Sequence, residues 1–179
     1  FASIKEKRYE KITNRLEQLR EAQLIFKSEY NQYSNNFDDL ITFLDNAQVS
    51  IIERKDSSFM KYDKIYQTDM LKDTIIYRII GQTSAKDKLI SSNRELFDAD
   101  FDVSDLRFIP FARDSTEFKI ATGHVDRNGV RVQVFEIKAT NQDFFHDIYD
   151  DYKSLILGLR IDALSVGSLT EPTLSGNWK

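Results

Sequence analysis

The sequence predicts an α+β fold: a long N-terminal amphipathic helix packed against an antiparallel β-sheet, with additional short helices. Three observations predict it. Apolar residues recur at helical spacing through the first thirty residues without a Gly or Pro. Two runs of alternating polarity flank an Asn-Gly pair at residues 128–129. The composition, 41% hydrophobic and 12% aromatic with 6 Gly and 2 Pro in 179 residues, suits one domain with a substantial core rather than a loop-rich or disordered chain.

The first element is predicted over Ser3–Tyr30. Tyr9, Ile12, Leu16, Leu19, Gln23, Phe26 and Tyr30 follow one another at intervals of 3 and 4, so they share one helix face. Lys7, Glu10, Glu17, Arg20 and Lys27 occupy the others. A helix of this length, roughly 40 Å, is expected to project its beginning from the globular body. The segment 31–47 reads as a turn followed by a short helix over Phe37–Asn46. Ser34, Asn35 or Asn36 supplies the cap, and Asp38 and Asp39 sit in the first turn, where negative charge suits the helix dipole.

Residues 48–140 form a β-rich region. "QVSIIERK" (48–55) and "TIIYRIIG" (74–81) read as strands. The intervening residues 56–73, with Tyr62 and Tyr66, read as an irregular excursion. "TSAKDKLISS" reads as a linker with room for a turn of helix, and Leu106–Pro110 as a strand. "EFKIATGHVD" and "VRVQVFEIKA" form a hairpin about Asn128 and Gly129, a pair that tolerates positive φ. Residues 141–160 read as a helix carrying Phe144, Ile148, Tyr152, Leu155 and Leu159, and the final stretch as turn-rich and extended. The chain is thus a single domain, with a C-terminal helix and tail over 141–179.

The stretch "LREAQLIFKSEYNQYSNNFDDLITFL" resembles the type IV pilins and the pseudopilins of type II secretion. The resemblance covers about Arg15–Leu44. Leu19, Ala22, Gln23 and Phe26 lie on the helix, Tyr30 and Tyr33 lie about the turn, and Leu40 and Leu44 follow it. Asn31 or Gln32 stands where the family has Gly, and Ser34 where it has Pro. The resemblance implies a non-enzymatic structural subunit of a bacterial cell-envelope assembly: a pilus, a pseudopilus, or a secretion or DNA-uptake apparatus. Its spine would continue upward into an inner-membrane helix, with the head in the periplasm or in an extracellular filament. The partners it implies are other assembly subunits, including copies of this chain, and the membrane. The alternative is a periplasmic binding module that holds a ligand or partner protein on an aromatic-rich sheet or on the Tyr62/Tyr66 loop.

Charge and motifs are consistent with a protein that works by contact. The net charge of −4 is mixed along the chain, with no broad basic field for nucleic acid, and there is no Cys. Nucleophile-elbow, dinucleotide-binding and phosphate-loop motifs are absent. Asp98, Asp100, Asp102 and Asp105 are the candidate ligands for a hard cation, Ca²⁺ first. However, Val103 stands where a calcium loop needs Gly and Ile109 where it needs Glu. A solvated acidic loop, and no cofactor, is the expectation. His146 with Asp147, Asp150 and Asp151 is a conceivable zinc cluster, more simply an exposed acidic helix face. Lys5, Lys7, Arg8 and Lys11 suit anionic headgroups beside a membrane helix, or solvated charge balanced by Glu6 and Glu10.

Overall fold

A computed structural model describes all 179 residues and has the α+β architecture. Helix α1 spans Ala2–Tyr30. Ile12, Leu16, Leu19 and Ala22 are fully buried along it, with Ile25 and Phe26 close to that. Tyr9 is partly buried, its ring against Phe144 and Phe145. The apolar stripe stops short of its expected end: Tyr30 is 53% exposed. Asn31 leaves the helix in the left-handed region (φ 58), donating its N–H to the Lys27 carbonyl. Tyr30 is thereby left on the rim, covered on one side by Phe26 and Phe43.

The beginning of α1 does not project. Phe1 stacks on Tyr152 at 5.4 Å and tilts against Phe145 at 5.5 Å. Arg8 reaches the same layer with a two-pronged pair to Asp147, at 2.6 and 2.8 Å, and donates to the Phe144 carbonyl. Aromatic burial and this fork seat the first two turns on the C-terminal segment.

Helix α2 (Phe37–Asn46) is capped by Asn36, whose side chain accepts the Asp39 N–H at 2.8 Å. Phe37, Leu40, Phe43 and Leu44 are buried on its inner face. Strands β1 (Gln48–Asp63) and β2 (Thr68–Ser84) then form a two-stranded antiparallel ribbon. Helix α3 (Ala85–Ser92) follows, capped by Ser84, in the segment read as a linker. In place of a strand at Leu106–Pro110, a 3-10 turn runs over Val103–Arg107, and only Phe108 makes a bridge, to Glu117. The reason is local: the Asp102 carboxylate accepts the Ser104 N–H at 3.0 Å and starts a tight turn.

The second sheet has the order β3-β4-β5, all antiparallel, with β3 at Lys119–Arg127, β4 at Val130–Thr140 and β5 at Ala163–Gly167. Asn128 (φ 53) and Gly129 (φ 78) make the two-residue turn joining β3 to β4. Phe135, Ile137 and Ala139 face the core with Leu164 and Val166. Strand β5 comes from the tail that reads as merely extended.

Residues 141–160 do not form one helix. Helix α4 (Asn141–Phe144) gives way to a 3-10 turn at His146–Ile148 and then to α5 (Tyr149–Leu157), which is kinked at Tyr152. Phe144 and Phe145 are both fully buried. Consecutive helical positions diverge by roughly 100°, so turning both rings inward requires the non-helical backbone seen at Phe145 (φ −114, ψ 10). The Leu155 side chain, expected on the apolar face, is 54% exposed.

Candidate interaction surface

The β1–β2 ribbon is anchored only at its base. Val49 is fully buried there, and the Ala85 N–H donates to the Ala47 carbonyl at 2.9 Å. From Ile51 to Ile80 no residue is buried. The segment read as an irregular excursion is therefore a continuous ladder, paired from Ile52–Ile79 out to Asp63–Thr68. A bulge at Ile51/Ile52 leaves Ile80 without a partner. Bulges bend the strand and increase its twist, and this one stands where the ribbon leaves the body.

The tip is set by Asp63, whose carboxylate accepts the N–H groups of Ile65 (2.8 Å) and Tyr66 (3.2 Å). Those bonds hold the Asp63 carboxyl below its ordinary range. Gln67, at φ 55, completes the reversal without a glycine. Ile65 is 85% exposed and Tyr66 70%.

Register divides the ribbon into two faces. One face carries Ile52, Met60, Leu71, Ile75, Tyr77 and Ile79, each between 42% and 67% exposed. Its charges are Arg54, Asp56, Asp69 and Asp73, one cation against three carboxylates. The other face carries Phe59 and Ile76 with Glu53, Lys55, Lys61, Asp63, Lys72 and Arg78, four cations against two carboxylates. Glu53 pairs with Arg78 across the strands at 2.9 Å, and Asp63 with Lys72 at 3.7 Å. Both outer edges of the ribbon lack a neighbouring strand.

A two-stranded ribbon is marginally stable in water by itself, and exposed edges and apolar faces mark contact surfaces. Sequence reasoning singled out Tyr62 and Tyr66 but missed Ile52, Met60, Leu71 and Ile75 as one surface. The available signal was the pair of β-branched and aromatic runs about Asp63, of nearly equal length.

The other candidates are placed as follows. Asp98, Asp100, Asp102 and Asp105 border one shallow depression, which Lys11 and Arg15 share. No group of three or more His, Cys, Asp or Glu side chains is placed to hold a metal ion. The Asp102 carboxyl is held below its ordinary range by the Ser104 N–H and hydroxyl. Asp147 is paired with Arg8, whose hydrogen bonds lower the Asp147 carboxyl. His146 turns Nδ1 to the Asp143 carbonyl at 3.2 Å. Arg8 is therefore engaged within the fold and is not a free headgroup ligand. Asp38 pairs with Arg107 at 2.8 Å. No helix of the chain is long and apolar enough to cross a membrane. Comparison with protein-family models, curated proteins and solved structures finds no match to this chain.

Proposed function

We propose that this protein is a non-enzymatic structural or interaction subunit of a multi-protein assembly, and that the β1–β2 ribbon is its contact arm. One observation carries the reading: a ribbon of two long strands leaves the body with both faces and both edges uncovered. Water is a poor partner for that much Ile, Met, Phe and Tyr, and a neighbouring protein is a good one. The order of long helix, turn bearing Tyr33, short helix and antiparallel sheet supports placing the assembly in a bacterial cell envelope, in the manner of pilin-like subunits.

A binding module that clasps a different protein is the second reading, favoured by Tyr66 and Ile65 standing furthest out at the tip. A photo-reactive residue placed in cells at Ile75 or Ile65, with Lys153 on α5 as the control position, tests the contact role. Adducts from the ribbon positions and not from Lys153 are expected. Equal or absent adducts at all three would overturn the proposal.

A further inference from the structure

The two faces of the ribbon carry opposite charge, and the carboxylates of the first face have no partners within the chain. Asp56, Asp69 and Asp73 form no salt bridge. On the second face Glu53 and Asp63 are already neutralised by Arg78 and Lys72, leaving Lys55 and Lys61 free. Spacing also matches. Asp69 stands opposite Tyr62, so Asp56 and Asp69 lie six residue levels apart along the ribbon, as do Lys55 and Lys61. At about 3.3 Å per residue each pair spans roughly 20 Å.

We propose that the occupant of the ribbon's faces is a second copy of this chain, the acidic face of one ribbon stacking on the basic face of the next. The inference rests on the contact role proposed above and names its partner. Sheets packed face to face sit about 10 Å apart with their side chains interleaved. In such a stack Asp56 and Asp69 of one copy lie over Lys55 and Lys61 of the next, while Ile75, Leu71 and Phe59 leave water between them. The two contact patches differ, so the interface is head-to-tail. Each copy therefore offers a free face to another, and the assembly is a ring or an open filament rather than a closed dimer. Charge complementarity sets the order of faces and the apolar residues supply the association.

Sedimentation of the full chain tests this. The wild type is expected to form species larger than a monomer that grow with concentration and shrink at high salt. Asp56→Lys with Asp69→Lys, or Lys55→Glu with Lys61→Glu, should abolish assembly. Combining all four should restore it, because the two faces merely exchange sign. A monomeric wild type at every concentration, or no recovery in the combined chain, would overturn the inference.

A second measurement leaves the charges intact. The chain has no Cys, so Ser58→Cys on the acidic face and Ser57→Cys on the basic face each introduce one thiol. With a bifunctional linker about 10 Å long, the mixture of the two variants should cross-link well beyond either alone, and equal yields would count against stacking. A monomeric wild type whose ribbon nevertheless cross-links in cells to a different protein would sink the stacking and leave the contact role standing.

Discussion

Gln23 and Ser34 exchange two hydrogen bonds of 2.8 Å: the Gln23 amide donates to the Ser34 carbonyl and accepts the Ser34 N–H. Both residues are buried. The single polar member of the α1 stripe thus reads the backbone of the turn eleven residues on, doing what a strand neighbour would do. It fixes where the chain turns from α1 into α2 and seats Tyr33 against Phe135 at 4.7 Å.

Gln23→Leu keeps the volume and removes both bonds, leaving a buried N–H and a buried carbonyl unpaired. A loss of roughly 2–4 kcal/mol is expected, read from urea unfolding. A change within a few tenths of a kcal/mol would show that another group or water replaces the amide.

Gly167 ends β5 at φ +75, and a Cβ there would overlap the Phe135 carbonyl oxygen. Gly167→Ala should cost roughly 2–5 kcal/mol from left-handed strain and displaced backbone. Gly129 has a similar φ (+78) but open space around it. Gly129→Ala should cost only about 1–2 kcal/mol, so the difference between the two melting temperatures isolates the steric part.

The Arg8–Asp147 pair ties part of the acid stability to one carboxyl. Arg8 lowers the Asp147 pKa in the folded chain. A group with a lowered folded pKa stabilises the fold above its unfolded value, about 3.9 for Asp, and loses that contribution as pH falls through the folded value. Asp147→Asn should therefore destabilise at neutral pH by up to about 1 kcal/mol, given the half-exposed carboxylate. The gap to wild type should close as pH drops below about 4. A gap that stays constant into acid would detach the pair from the pH dependence.

Asp98→Asn with Asp100→Asn should leave the melting temperature unchanged, with or without calcium. Lys11 and Arg15 share the depression and repel a divalent cation. A calcium-dependent rise in the wild type that disappears in the variant would assign these carboxylates to a metal site.

Local chemistry by itself determined much of this protein. Helix α1 follows from unbroken three- and four-residue spacing, α2 from Asn36 capping an apolar face over two Asp residues, and the β3–β4 turn from Asn128–Gly129. Each depends on neighbours within a few residues, where propensity and capping act. Only the tertiary structure decided the rest. The β1–β2 ladder runs through Asp, Lys and Ser because cross-strand partners, not burial, hold it. Strand β5 exists because β4 offers it an edge. Residues 141–160 break because Phe144 and Phe145 must both face a core built largely by α1. The two faces of the β1–β2 ribbon follow from the pairing register, a relation between residues far apart in the chain that no local spacing encodes.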